Sequence, residues 1–330
     1  MGNILSWREV VSQSNSVFNQ FGFSKWIPYA KFNKYFPHKS GKELYHTGLG
    51  KFLLLCAMGE SLEANIEVIK KYRDRVDIVT CDKGFGQLLE HGVKADYVVL
   101  CDCNIPYRHI EKYINETKDV TLLSTVYANP KWHYHWKGER CFFINEDSIH
   151  TEKYFKEIWG SDLRIIPAGS NVSNAMLIYF TGCSEFNNEN WAGYEKYILV
   201  GYDYSWRPLG NYYAWLNPRP KRNYMNHRTM LDINGDMVFS SENLYFSAKW
   251  LYSYVTTFRV PTVNCSGRGL LDIPARNDLE KELSNINTSK ECLNKFLTSF
   301  KEAQDAFRTY HNKNKIYEKT RGVLYNDNRC

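Results

Sequence analysis

From Lys51 onward, short unbroken apolar runs alternate with longer amphipathic segments. The runs Phe52–Cys56, Val76–Cys81, Tyr97–Cys101, Val120–Ser124, Cys141–Ile144, Arg164–Ile166, Tyr197–Gly201 and Pro261–Cys265 predict strands. A run without polar alternation suits a strand covered on both faces, which is a parallel-sheet strand. Between the runs, helical spacing predicts a Ser61-capped helix carrying Leu62, Ile66, Ile69 and Tyr72. It also predicts a short helix through Phe85, Leu88 and Leu89 that stops at His91-Gly92, and a helix from Pro106 to Asn115. Asn171 to Phe180, closed by Gly182, and Asn243 to Phe258 are two more. Asp232 to Asp236 reads as a hairpin turn. Strand and helix alternating in this way indicate an α/β fold, with a doubly wound, mostly parallel, Rossmann-like sheet.

Three regions follow. Residues 1–45 form an aromatic and basic cap without a clean period, with Trp7, Trp26, Tyr29 and Phe32 among its rings. Residues 46–275 form the α/β domain. Residues 276–330 are a helical tail striped by Leu279, Leu283, Ile286, Leu293, Leu297 and Phe300. Arg207 to Arg228 interrupts the rhythm. It has three prolines, the basic Arg207, Arg219, Lys221, Arg222 and Arg228, and the aromatic Tyr212, Tyr213, Trp215 and Tyr224. A long irregular segment inside a compact domain suits a functional loop, and a mobile lid is expected here.

Composition narrows the class. The net charge of +6 is mild and favours anionic ligands without demanding nucleic acid. The nine cysteines are scattered, with no C-x-x-C pair, so neither a zinc ribbon nor a thioredoxin-type motif is indicated. Several lie in apolar runs, as reduced thiols do in a cytoplasmic protein. No apolar stretch is long enough to span a bilayer. Met1-Gly2-Asn3-Ile4-Leu5-Ser6 matches the loose myristoylation pattern.

Four turns carry candidate chemistry. In Cys56-Ala57-Met58-Gly59-Glu60-Ser61-Leu62 a strand enters a glycine turn and then a capped helix, a geometry that binds phosphate or merely starts a helix. Asp82 and Asp102, with Asn104, follow consecutive strands, where ligands of open parallel sheets sit. They suit ribose, a base edge or a phosphate-bound metal, or cap the next helices. Gly169, Ser170 and Asn171 repeat the glycine turn. Asp203, after Leu199-Val200-Gly201-Tyr202, is placed for a general base or a turn cap. In Trp132-His133-Tyr134-His135-Trp136, an H-x-H on a strand would put both rings on one face, for metal, acid–base work or packing.

Taken in order, these turns resemble the MptE-like domain of archaeal 6-hydroxymethylpterin diphosphokinases and of the bacterial Maf proteins that glycosylate flagellin. Gly59, Ser61 and Leu62 with Asn65-Ile66 are similar to that family's G-P-S-L-x-x-N-I segment. Val79 to Asp82, Leu88 to Asp96 with Asp102, Gly169 to Val172 and Leu199 to Asp203 resemble its later motifs. The likeness covers about residues 50 to 275. Glu60 departs from the family proline and sets a negative charge beside the supposed phosphate turn. Asp102-Cys103-Asn104 lacks one carboxylate of the diphosphokinase D-x-D-G signature, whereas Asn129-Pro130, Trp136-Lys137-Gly138 and Trp250 are nearer the Maf branch.

The resemblance implies a sialyltransferase-like domain that uses a nucleotide-activated sugar, of the CMP-linked nine-carbon type. Gly59, Ser61, Leu62, Gly169, Ser170 and Asn171 would hold the donor's nucleotide and phosphate, Asp82, Asp102 and Asn104 its ribose or base. Asp203, His133 and Asp102 are the catalytic candidates, and a glycan, protein or small molecule is the acceptor. The enzyme alternative is a pyrophosphoryl transferase with magnesium on Asp82 and Asp102. A nucleic-acid-directed protein using Arg207 to Arg228 is the third reading.

Overall fold

The computed structural model describes residues 23–145, 149–160, 163–167, 169, 171–182, 191–216, 227–286 and short stretches between 298 and 305. Met1–Asn285 is one compact unit and Ile286–Cys330 a second. In the second, the described positions between 298 and 305 are helical. The tail positions Leu293, Leu297 and Phe300 lie outside the described residues, as do the myristoylation match and the rings before Phe23.

All eight apolar runs become strands of one parallel sheet. They are β1 (Phe52–Cys56), β2 (Asp77–Cys81), β3 (Tyr97–Leu100), β4 (Thr121–Thr125), β5 (Arg140–Asn145), β6 (Arg164–Ile166), β7 (Lys196–Val200) and β10 (Thr262–Asn264). Their order is β10-β7-β1-β2-β3-β4-β5-β6. Leu53, Leu54, Leu55, Val98, Val99, Leu122, Leu123, Ile198 and Leu199 are fully buried. This burial on both faces is what the missing polar alternation required. The hairpin β8 (His227–Leu231) and β9 (Met237–Ser241) is antiparallel and closes through Gly235, at φ +84°.

The order places a switch point beside β1. From β1 the chain steps outward through β2 to β6, then returns so that β7 pairs with the other edge of β1, Leu54 opposite Ile198. Helices diverge from such a point, leaving a crevice at the carboxyl ends of the strands.

Several helices form as read. Val172–Thr181 is capped by Asn171, whose side chain accepts from the Asn174 N–H at 2.9 Å, and ends at Gly182 in the left-handed region. Glu242–Thr257 is capped by Ser241. Three readings change. The Ser61 helix is two pieces, Glu60–Ala64 and Ile66–Lys71, broken where the Asn65 side chain donates to the Ser61 carbonyl at 2.8 Å. Pro106 to Asn115 contains only 3-10 turns, Tyr107–His109 and Glu111–Thr117. The H-x-H segment is a helix, Pro130–His135, because Asn129 caps it and Pro130 occupies its first turn.

The amino-terminal helix Phe23–Asn33 belongs to the sheet's packing. Asn33 donates to the carbonyls of Val126 and Ala128, at 2.9 and 2.8 Å, just past β4. Trp26 and Ala30 join Tyr127, Phe142, Ile144 and Phe155 in one buried cluster. Among the described residues no helix is long and apolar enough to cross a membrane.

Candidate active site

A cavity of about 430 Å³ opens along the carboxyl ends of β1, β2, β3, β4, β5 and β7. Its floor carries Ala57 to Gly59 after β1, Asp82 and Lys83 after β2, and Asp102 and Cys103 after β3. Trp26, Tyr127 and Asn145 close one end, and Tyr202, Tyr204, Tyr212 and Tyr213 flank the other parts of the wall. Asn171 to Ser173, at the start of the helix Val172–Thr181, also face it. Of the residues proposed from sequence, Gly59, Asp82, Asp102 and Asn171 therefore come together.

Asp82 is 4% exposed, and burial pushes its carboxyl up to about 6 against the opposing Lys83 charge. Its Oδ1 accepts from the Lys83 N–H at 2.5 Å. Asp102 adds a second negative charge that further raises Asp82, while its own Oδ1 accepts from the Asn104 N–H at 2.7 Å. Asn104 itself is exposed and does not line the cavity. Lys83 is the cavity's cation: its Nζ lies 4.3 Å above the Tyr213 ring and 3.3 Å from that residue's hydroxyl. Lys83 directly follows Asp82 and carries no motif of its own in the sequence. The first turn of the helix Asp82–Glu90 places both side chains at the strand end.

The first glycine turn does something else. Ser61 is fully buried and gripped by Asp203, whose Oδ2 accepts from the Ser61 N–H at 2.8 Å while Oδ1 accepts from its hydroxyl. The hydroxyl in turn accepts from the Gly201 N–H at 3.0 Å. A Cβ on Gly59 would stand 2.5 Å from the Gly201 carbonyl and 2.7 Å from the Asp203 carboxyl carbon. The two turns thus lock β1 to β7. Ser61 and Leu62 sit in this packed layer and do not reach the cavity. Burial raises Asp203 to about 6, opposed by its Ser61 bonds and by Arg268.

Glu60 does not line the cavity. It is paired with Arg207, whose Nη2 lies 2.5 Å from Oε1, and with Arg268 at 3.5 Å. Glu63 accepts from the Trp215 N–H at 3.1 Å and from Asn211 at 3.3 Å, and Ala214 donates its N–H to the Met58 carbonyl at 2.9 Å. The stretch from Arg207 to Leu216 is thus tied by these bonds to the first glycine turn, and its Tyr212 and Tyr213 form part of the cavity wall. Residues 217–226, with Arg219, Lys221, Arg222 and Tyr224, lie outside the described residues.

Gly169 is buried against Asn174, which donates to its carbonyl at 2.5 Å, so this turn also packs inward. Ser170 lies outside the described residues. His133 is fully buried beneath the helix Pro130–His135, 3.3 Å from the Ser124 hydroxyl and beside Phe142. Burial lowers it to about 3, so it stays neutral, and it does not line the cavity. The expected pair of rings on one face is not formed, because on this helix His135 stacks instead on Tyr107. Among the described residues no group of three or more His, Cys, Asp or Glu side chains could hold a metal ion.

The sequence matches the family described as 6-hydroxymethylpterin diphosphokinase MptE-like over residues 29–208, more than half of the chain. The chain belongs to the MptE-like family. Its fold is similar to that of the Maf glycosyltransferase from Magnetospirillum magneticum AMB-1, with a TM-score of 0.57 at 17% identity. That alignment covers 84% of this chain and 42% of the other, so the chain spans less than half of that structure. No curated protein matches. The MptE-like motifs converge on the crevice beside β1, and both names are those of transferases.

Proposed function

We propose that this MptE-like protein is a nucleotide-dependent transferase whose donor lies in the cavity along the strand ends, and that it transfers a sugar from a nucleotide-activated, CMP-type donor. The observation that carries the reading is Asp82: a buried carboxylate, raised to about 6, facing a tyrosine-lined cavity beside Lys83. A base that titrates near neutrality is matched to take a proton from an acceptor hydroxyl. In the transfer, the acceptor oxygen bonds to the anomeric carbon and the carbon–oxygen bond to the donor phosphate breaks. Its electron pair leaves on the nucleotide, and the hydroxyl proton passes to Asp82. Lys83 lies where it offsets the negative charge that grows on the leaving phosphate. Tyr202, Tyr204, Tyr212 and Tyr213 present apolar faces and hydroxyl groups to a sugar. Glycan, protein and small-molecule acceptors all fit this chemistry, and the free buried cysteines suit a reducing cytoplasm.

A second reading has its own observation, since Asp82 and Asp102 both face the cavity and the Asp102 charge acts on Asp82. Each has one oxygen engaged by a backbone N–H, and two carboxylates suit a magnesium ion that completes its shell with phosphates and water. Such an ion would neutralise transferring phosphates in pyrophosphoryl transfer to a hydroxymethylpterin. The nucleic-acid reading loses Arg207, which is engaged by Glu60.

Incubation with a CMP-sugar, and separately with ATP, magnesium and 6-hydroxymethylpterin, tests these readings. CMP release that is lost in Asp82→Asn supports sugar transfer. AMP formation in place of CMP release supports the second reading, and neither product removes both.

A further inference from the structure

Asn171 lines the cavity, half-buried, with only the oxygen of its amide engaged. Its Oδ1 accepts from the Asn174 N–H at 2.9 Å and from the Ser173 hydroxyl at 2.7 Å. An NH2 group cannot accept, so these two bonds fix which way the amide points. Its Nδ2 meets no acceptor among the described residues and is open to the cavity. The turn that carries it is held in place. The Tyr202 hydroxyl donates to the Ser173 carbonyl at 2.7 Å, and the Tyr204 hydroxyl donates to Asn174 Oδ1. Asn171 is thus a positioned donor with its N–H groups free for a ligand.

Topology places it opposite Lys83. The step from β2 to β3 leads away from β1, and the step from β6 to β7 leads back across it. Right-handed crossovers in opposite directions put their helices on opposite faces of a sheet. The helix Asp82–Glu90, with Lys83, therefore flanks the cavity from one face, and Val172–Thr181, with Asn171, from the other. Asn174 Nδ2 donates to the Ser247 carbonyl at 3.0 Å, so the helix Glu242–Thr257 shares that second face. The wall on the Lys83 side is charged. The wall on the other side is Asn171, Val172, Ser173, Asn243 and Leu244, without a charge. A phosphate gains most beside the ammonium, whereas a neutral amide donor matches hydroxyl and carbonyl oxygens.

We infer that Asn171 Nδ2 is a specificity-determining donor that holds an oxygen of the transferred sugar, with the donor's phosphate across the cavity at Lys83. The inference rests on the sugar-transfer reading. It moves Asn171 from the phosphate, where the family resemblance placed it, to the sugar. A bare helix-capping role is separable from it, because serine and aspartate also accept from the Asn174 N–H and keep the cap.

The test is calorimetric binding of CMP and of CMP-N-acetylneuraminate to the full chain, as wild type, Asn171→Ser, Asn171→Asp and Lys83→Met. CMP carries the nucleotide and phosphate without the sugar, so the ratio of the two affinities isolates the sugar's share. Wild type should bind the CMP-sugar more tightly than CMP. Asn171→Ser should weaken the CMP-sugar about tenfold and CMP less than about twofold, as loss of one hydrogen bond to the sugar requires. Asn171→Asp, which keeps both acceptor contacts of the cap, should lower the ratio as well. Neither variant should lower the melting temperature of the free protein. Lys83→Met should weaken both ligands and leave their ratio unchanged. A ratio that stays at the wild-type value in both Asn171 variants overturns the assignment and leaves the transferase reading intact. So does a wild type that binds CMP and gains nothing from the sugar. If wild type binds neither ligand, the sugar-transfer reading falls and takes the assignment with it.

Discussion

Asp203 holds Ser61 with both carboxylate oxygens, one on the backbone N–H at 2.8 Å and one on the hydroxyl, across 142 positions of sequence. The pair joins the ends of β7 and β1, and it turns two sequence-level candidates for chemistry into structure. Ser61→Ala should therefore lower stability by roughly 1–3 kcal/mol, because it leaves a buried carboxylate short of a donor. Chemical denaturation measures the loss. Ligand affinity per folded molecule should not change.

Gly59→Ala should behave similarly. Its Cβ would meet the Gly201 carbonyl at 2.5 Å, a backbone atom that cannot step aside. A cost of about 1–3 kcal/mol is usual for overpacking. A melting point equal to wild type would show that β1 and β7 separate more easily than this packing allows.

Asp82 predicts a pH dependence with a definite sign. Its folded value of about 6 exceeds the ordinary 3.8, so the folded state binds more protons than the unfolded one between those values. Stability from this group is therefore present at acid pH and is lost as pH rises from about 4 to about 6. Asp82→Asn keeps an oxygen for the Lys83 N–H and removes the buried charge. It should melt above wild type at pH 7, with the gap closing towards pH 4. The same substitution should cut turnover about 100-fold or more if Asp82 is the base.

Lys83→Met should raise the KM for the donor, because it removes the positive charge that Lys83 carries beside Tyr213 at the cavity wall. The effect should shrink as salt is added, since screening weakens the wild-type attraction. Steady-state kinetics at two ionic strengths separate this from a packing defect.

Glu60→Ala should loosen the stretch from Arg207 to Leu216. It strips Arg207 and Arg268 of a shared carboxylate. Limited proteolysis should then cut near Arg207 faster than in wild type, while far-ultraviolet circular dichroism stays the same.

The sheet was legible because parallel strands buried on both faces write themselves as apolar runs, and Phe52–Cys56 or Tyr197–Gly201 could be little else. The cavity's position followed from the same runs, and Gly59, Asp82, Asp102 and Asn171 do line it. Partners were not legible. Ser61 and Asp203 each look reactive alone, and only the β1–β7 pairing shows that they occupy each other. Glu60 looked hostile to an anion for want of Arg207 and Arg268, which are distant in sequence. Asn145 carried no motif; a lone polar residue closing the apolar run Cys141–Ile144 was its single signal. The H-x-H segment misled because ring spacing was read before the Asn129-Pro130 helix start. Trp26 was assigned to a cap, yet it reaches the cavity through a helix anchored by Asn33.

The switch point beside β1 also has a consequence for how the chain is made. At ribosomal rates of about 5–20 residues per second, Asp203 appears roughly 7 to 30 seconds after Ser61. Through that interval β2 to β6 can assemble on one side of β1, while its other edge waits for a strand not yet synthesised. An unpaired edge in the middle of a future sheet is an invitation to a neighbouring nascent chain. The polypeptide between β6 and β7 is therefore the period of greatest hazard in its biosynthesis, and the arrival of Asp203 at Ser61 is the event that ends it.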